Sequence, residues 1–147
     1  VDPKFNNFFA YKNVTVFKPN RKETEEALGC KLGEWNDIDK AGKEMLHVLD
    51  AENVLLTLGE QGMALFEKGD KVTHLPTRAI KVADVSGAGD TVVSTLSMVL
   101  ASGGDIGEAA TLANFAGGIV CGEVGIVPID KQVLLKEVLA HTNHSAG

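Results

Sequence analysis

The stretch Asp84–Thr91, with the sequence Asp-Val-Ser-Gly-Ala-Gly-Asp-Thr, is the most informative part of this chain of 147 residues. Its Gly87-Ala88-Gly89 turn leads directly into an apolar segment typical of a helix, which leaves backbone N–H groups unpaired at a helix N-terminus. Such a terminus binds anions, and a phosphate group suits it. We interpret Asp90 either as a general base that takes a proton from an attacking hydroxyl, or as a first-turn acid that complements the helix dipole.

Two further segments carry polar residues or glycines close to the ends of predicted strands. The segment from Thr57 to Gly62 contains Gly59 and Gly62, which allow a tight turn or a close approach of the backbone to a phosphate or ribose. Asn20 and Glu23 lie at the first turn of a predicted helix. Their oxygens suit Mg²⁺, but a helix cap explains the same two residues without any ligand. Both alternatives stay open for each segment.

Composition and missing motifs exclude several classes of protein. The formal net charge of −6 is opposite to the basic surface that nucleic acids require. No GxxxxGK[ST] motif occurs, and Val92 stands where a dinucleotide fingerprint needs glycine. No apolar run approaches the roughly 18 residues of a membrane span, and Val1–Lys4 is too polar for a signal peptide. Cys30 and Cys121 fit free thiols in a reducing compartment, so we expect a soluble, cytoplasmic protein.

Hydrophobic periodicity predicts strands that alternate with helices, and hence one α/β domain with a largely parallel sheet. Asn20 and Asp37 are expected to cap the first two helices, and Ile38, Ala41, Met45, Val48 and Leu49 form the apolar stripe of the second. The predicted strands are 14–17, 53–58, 62–66, 71–75 and 79–82, with a hairpin turn at 67–70. The predicted helices are 21–30, one after Asp37, 89–102, one from Asp105 to about Cys121, and one capped by Asp130.

The three motifs together resemble the ribokinase-like carbohydrate kinases, the PfkB family. The family's C-terminal signature is matched from Asp84 to Asp90, its Asn-x-x-Glu motif at Asn20 and Glu23, and its Thr-x-Gly-x-x-Gly segment from Thr57 to Gly62. The resemblance implies a ribokinase-like, three-layer α/β/α fold with a mostly parallel sheet. It also implies that residues 1–147 are the C-terminal nucleotide-binding and catalytic portion of a kinase, because nothing here matches the family's N-terminal sugar-binding and lid part.

The resemblance assigns roles to residues that match the family's motifs. Asp90 would activate the sugar hydroxyl, with the backbone of Gly87, Ala88 and Gly89 as the anion hole for the γ-phosphate of ATP. Asn114 falls where such kinases contact adenine. The other nucleotide residues would be Thr57, Gly59 and Gly62.

Metal sites are implied as well. Asn20 and Glu23 would organise Mg²⁺, water and phosphates. Asp84 and Ser86 match a site for a monovalent cation such as K⁺, with the backbone near Glu123 and Gly125 as further ligands.

Within the family, the combination of Val1–Lys4, Phe17–Asn20 and Asp84–Asp90 is most similar to the heptose 7-phosphate kinases, which make heptose 1,7-bisphosphate for lipopolysaccharide core assembly. The expected partners are ATP and a sugar phosphate, with a homo-oligomer for the full-length protein and any nucleotidyltransferase activity elsewhere. The chain alone is expected to lack sugar kinase activity and to expose an open sheet edge that favours self-association. The alternatives are another PfkB kinase, of ribokinase or phosphofructokinase type, and a nucleotide-binding module without kinase activity.

Overall fold

The structure, a computed structural model, describes residues 1–3, 5–78 and 87–144. The chain divides into two compact units, Val1–Pro76 and Thr77–Gly147. The first unit contains short 3-10 helices at Phe5–Ala10 and Gly59–Gln61, together with β1 (Val16–Phe17), α1 (Arg21–Leu28), α2 (Trp35–Leu49), β2 (Asn53–Thr57), β3 (Met63–Glu67) and β4 (Lys71–Leu75). The second unit contains α3 (Ala88–Ala101), α4 (Ile106–Cys121) and α5 (Lys131–His144).

The sheet of the first unit has the strand order β1-β2-β3-β4. β1 and β2 are parallel, whereas β2 with β3 and β3 with β4 are antiparallel. The α/β class and the hairpin at 67–70 are thus confirmed, but the described sheet is only partly parallel rather than mostly so. The reason is local, because Gly69 and Asp70 adopt positive φ and turn the chain straight back into β4.

The core of the first unit lies between α2 and the sheet. Ile38, Ala41, Met45 and Leu49 of α2 are buried as predicted, and they belong to the same core cluster as Val54 of β2. The placement of Val48 in the apolar stripe was wrong, since this side chain is 38% exposed.

The start of α2 also differs from the prediction. Its N-cap is Glu34, and the side chain of Asp37 accepts a hydrogen bond from the Glu34 N–H at 3.2 Å. Asp37 therefore acts from inside the first turn, and α2 begins earlier than the sequence indicated.

Residue Val1 pairs with β1 through its backbone. Its amine donates to the Val16 carbonyl at 2.6 Å, and the Lys18 N–H donates to the Val1 carbonyl at 2.8 Å. This is the bonding pattern of a parallel neighbour centred on Phe17.

The second unit is helical in its described part. α3 packs along α4, and α4 contacts α5. Asp105 Oδ1 accepts from the Glu108 N–H at 2.8 Å and Asp130 Oδ1 from the Val133 N–H at 3.0 Å, so both predicted caps are confirmed. The strand predicted at 79–82 lies outside the described residues. Among those that are described, no helix combines the length and apolar character needed to cross a membrane.

Candidate active site

The carboxyl ends of β1 and β2 meet where two of the predicted motifs begin. Asn20 forms a parallel bridge with Thr57, and the Thr57 N–H donates to the Pro19 carbonyl at 3.0 Å. The Thr57 hydroxyl points to the same carbonyl at 3.4 Å. Ligands of α/β proteins bind outside the carboxyl ends of parallel strands. The structure therefore brings Asn20 and Thr57 together at the edge where a nucleotide site is expected.

Asn20 and Glu23 form a reciprocal helix cap at the start of α1. Asn20 Oδ1 accepts from the Glu23 N–H at 2.9 Å, and Glu23 Oε2 accepts from the Asn20 N–H at 2.8 Å. The capping alternative raised by the sequence is thus present in the structure. The cap leaves the Glu23 carboxylate able to bind a further group, since a carboxylate offers about four acceptor positions and the bond from the Asn20 N–H uses one.

The turn from Gly59 to Gly62 follows β2 directly. Gly62 N–H donates to the Gly59 carbonyl at 2.9 Å, and Leu58 N–H donates to the Gly62 carbonyl at 2.8 Å. Gly59 has φ +62° and Gly62 has φ +85° with ψ −128°, conformations that favour glycine. A Cβ placed on Gly59 would meet no atom within 4 Å. Gly59 thus presents exposed backbone to open space, as a site for a phosphate or ribose requires.

In the second unit, α3 begins immediately after Gly87, which adopts φ +79°. The Thr91 N–H donates to the Gly87 carbonyl at 2.9 Å, and the N-cap residue Gly87 has no side chain with which to cap α3. Gly89 and Asp90 are exposed in the first turn. The first N–H groups of α3 have no partner within the helix, and together with the helix dipole they make this terminus suitable for an anion, with a carboxylate beside it.

The loop after α4 contacts the Gly87 turn. A Cβ on Gly87 would lie 3.3 Å from Ile126 Cγ2, so the segment around Gly125 lies next to the start of α3. Gly125 has φ +84°. Glu123 is exposed nearby in sequence, whereas the predicted cation ligands Asp84 and Ser86 lie outside the described residues.

Asn114 lies in the middle of α4 and is 6% exposed. A buried amide in a helix interior needs hydrogen-bond partners, because an unpaired polar group in the core is costly. Its neighbour Phe115 is equally buried, and the Arg78 guanidinium lies 4.9 Å from the centre of that ring. The residue predicted to contact adenine is therefore buried within α4, in the same unit as Gly87–Asp90.

An ion pair that was not predicted from the sequence lies beside the end of β1. Lys18 Nζ lies 2.8 Å from Asp2 Oδ1, and Lys18 is 4% exposed. A buried ammonium is stable only when it is paired. The available signal was a lysine between Phe17 and Pro19, at the end of an apolar strand.

Within residues 1–3, 5–78 and 87–144, no group of three or more His, Cys, Asp or Glu side chains is placed to hold a metal ion. An amide and one carboxylate, as at Asn20 and Glu23, remain compatible with Mg²⁺, which keeps most of its waters and takes one or two protein groups.

Comparison with known proteins agrees with this geometry. Residues 9–131 match the family described as pfkB family carbohydrate kinase. The chain belongs to this family. It is 40% identical over 141 residues to the Bifunctional protein HldE of Syntrophotalea carbinolica. The matched region covers 96% of this chain and 29% of that protein. This pfkB family chain thus spans less than a third of the length of the curated relative.

Solved structures show the fold of this pfkB family chain. Escherichia coli phosphofructokinase-2 in complex with substrates and products matches with a TM-score of 0.82 at 24% identity, over 92% of this chain and 45% of that one. The same enzyme in complex with potassium matches with a TM-score of 0.78 at 24% identity, over 87% and 41%. Arabidopsis thaliana ribokinase complexed with ribose and ATP gives 0.76 at 24% identity, over 92% and 43%. The predicted ribokinase-like fold is confirmed.

Proposed function

We propose that this chain is the C-terminal nucleotide-binding and catalytic portion of a kinase that phosphorylates heptose 7-phosphate to heptose 1,7-bisphosphate, for lipopolysaccharide core biosynthesis. Family membership and the 40% identity to HldE support a sugar-phosphate kinase. The observation that carries the proposal is the start of α3, which has a glycine, Gly87, at its N-cap and the exposed Asp90 in its first turn.

The residues of α3 would perform the transfer itself. The Asp90 carboxylate accepts the proton of the sugar hydroxyl while the hydroxyl oxygen forms a bond to the γ-phosphorus of ATP. The bond from that phosphorus to the bridging oxygen breaks, and ADP leaves. The N–H groups of Gly87, Ala88 and Gly89 stabilise the negative charge of the transferring phosphoryl group. The protein forms no covalent bond to the substrates in this step, so most of the rate acceleration comes from how the protein positions the reacting groups.

The nucleotide would be held mainly by backbone. Thr57, Gly59 and Gly62 line the ATP site, and Asn114 contacts the adenine. This arrangement lets an acidic chain bind an anion through N–H groups and a helix dipole rather than through net charge.

Asn20 and Glu23 would hold Mg²⁺ through their oxygens, either directly or through water. When bound, Mg²⁺ neutralises charge on the phosphates. Asp84 and Ser86, with the backbone near Gly125, would hold a monovalent cation such as K⁺. The potassium complex of phosphofructokinase-2 supports this part of the proposal. A cytoplasmic homo-oligomer is the expected form of the complete kinase.

The test compares Asp90→Asn with Asp105→Asn in the complete kinase polypeptide, in which the sugar-binding portion is present. Asp105 caps α4 and is also exposed, so its variant removes an equal charge near a helix N-terminus and keeps a capping side chain. Asp90→Asn should retain ATP binding and lower kcat about 10²- to 10⁴-fold, whereas Asp105→Asn should keep kcat. Equal turnover in both variants would leave Asp90 as a dipole-complementing acid only.

Two further measurements separate the alternatives. A screen of sugar phosphates and sugars with the complete polypeptide distinguishes a heptose 7-phosphate kinase from a ribokinase or phosphofructokinase type. ATP binding without transfer to any acceptor would favour a nucleotide-binding module. The 147-residue chain by itself should show no sugar kinase activity, and measurable turnover would contradict the proposed division of the kinase.

A further inference from the structure

Arg21 connects α1 to the turn that follows β2. Its Nη1 donates to the Leu32 carbonyl at 2.6 Å, and its Nη2 donates to Gln61 Oε1. Gln61 is the last residue of the 3-10 helix that begins at Gly59. A guanidinium suits this position because it is planar and always charged, and its donors reach two acceptors at once.

In the described part of the chain, the backbone hydrogen bonds of the turn outside the β-sheet join its own residues. Its bonds between Gly59 and Gly62 and between Leu58 and Gly62 are internal, so they fix its shape but not its position. On the strand side, Thr57 is fixed to Pro19 by the backbone. The Arg21–Gln61 bond supplies a second connection, from the far side of the turn to the residue that follows Asn20.

We propose that Arg21 is a positioning residue for the nucleotide: through Gln61 it holds the Gly59–Gly62 turn against the start of α1. This inference rests on the proposed function, since it concerns the same ATP site. Binding is strengthened when a loop is already held in its bound position, because less ordering accompanies association. Arg21 acts through Gln61 and not by contacting the nucleotide.

The experiment measures steady-state kinetics and melting temperature of four variants in the complete polypeptide: Arg21→Met, Gln61→Leu, the double variant and Lys22→Met. Lys22→Met is the matched control, because it removes the same charge one residue further on, from a side chain that is 83% exposed. Gln61→Leu breaks the connection while it leaves the bond from Arg21 to Leu32 in place.

Arg21→Met and Gln61→Leu should each raise KM for ATP about three- to tenfold, the effect of one hydrogen bond, with kcat and the KM of the sugar phosphate nearly unchanged. The KM for ATP of the double variant should be no higher than that of the more affected single variant, because both substitutions remove the same connection. Lys22→Met should match the wild type.

Three results would overturn the inference. A lower melting temperature with unchanged KM for ATP would make the connection merely structural. A raised KM in Arg21→Met alone, with Gln61→Leu normal, would mean that Arg21 contacts the nucleotide itself. Equal rises of the KM for ATP in Arg21→Met and Lys22→Met would mean that the loss of a positive charge, and not of the connection to Gln61, causes the effect. If the wild type neither binds nor uses ATP, the proposed function fails and this inference with it, whereas failure of the variants alone leaves the proposed function intact.

Discussion

Replacing Gly87 by alanine tests whether the start of α3 needs glycine for its conformation, its surroundings or its ligand. Gly87 has φ +79°, and an L-residue in this region costs about 1–2 kcal/mol. The new Cβ would lie 3.3 Å from Ile126 Cγ2, which is tight but not impossible. Because Ile126 is 80% exposed, it can move aside by a few tenths of an ångström at small cost. We therefore expect Gly87→Ala to lower the free energy of unfolding by about 1–2 kcal/mol.

Gly103→Ala is the matched control in the same unit. Gly103 has φ +88°, and a Cβ there would meet nothing within 4 Å. Its variant therefore has the conformational cost without the contact, and the two variants should agree within about 0.5 kcal/mol. Only Gly87→Ala should weaken ATP binding, because only that turn carries the proposed anion site.

Urea denaturation and calorimetric titration with ATP, both on the complete polypeptide, measure the two properties separately. If Gly87→Ala is destabilised by several kcal/mol more than Gly103→Ala, the Ile126 side chain is held in place despite its exposure and does not move aside. If both variants bind ATP as the wild type does, the N–H groups after Gly87 do not hold the phosphate.

Two other predictions concern the first unit. Gly42→Ala should lower the free energy of unfolding by about 1–2 kcal/mol in urea denaturation, because the clash of a Cβ 2.3 Å from the fully buried Phe66 ring outweighs the roughly 1 kcal/mol that alanine gains over glycine in a helix. The double variant with Phe66→Leu should lose less stability than the sum of the two single variants. Hydrogen bonds to the Glu25 carboxylate, mainly from the Leu32 N–H and to a smaller extent from Lys31, lower the pKa of Glu25 below its ordinary 4.5. The stability that these bonds contribute is therefore present above about pH 4.5 and is lost as the pH falls through the lowered pKa. Glu25→Gln should flatten that part of a plot of denaturation midpoint against pH, and an unchanged slope would contradict it.

Elements fixed by local chemistry were predictable from the sequence. Asn20 with Glu23 and Asp105 with Glu108 have the spacing of a capping box, and both boxes form. The Gly-Ala-Gly turn likewise predicted the start of α3 within one residue, because few other residues enter a helix from positive φ. These signals lie within four residues of one another, so no tertiary information was needed.

Features that depend on distant residues were not predictable. The bond from Arg21 to Gln61 joins positions 40 residues apart, and the ion pair of Lys18 with Asp2 depends on which strand lies beside β1. Val48 fits the helical period of α2, yet it falls at the edge of the buried face and is exposed. The role of Asn114 came from the family resemblance, whereas the role of Asp90 as a base was one of two interpretations of the Gly87–Asp90 sequence. Both roles stay predictions.

The mixed sheet has a consequence for the order in which the first unit folds. β3 and β4 pair across a short turn, as Glu67 opposite Lys71 shows, and hairpins of this kind form in about 1–10 μs. The parallel pairing of Val16 with Asn53 must instead close a loop that contains both α1 and α2, and the entropy of that closure is lost before any contact compensates for it. We therefore expect the β3–β4 hairpin to form early and the β1–β2 pairing, which creates the edge holding Asn20 and Thr57, to be among the last events of folding.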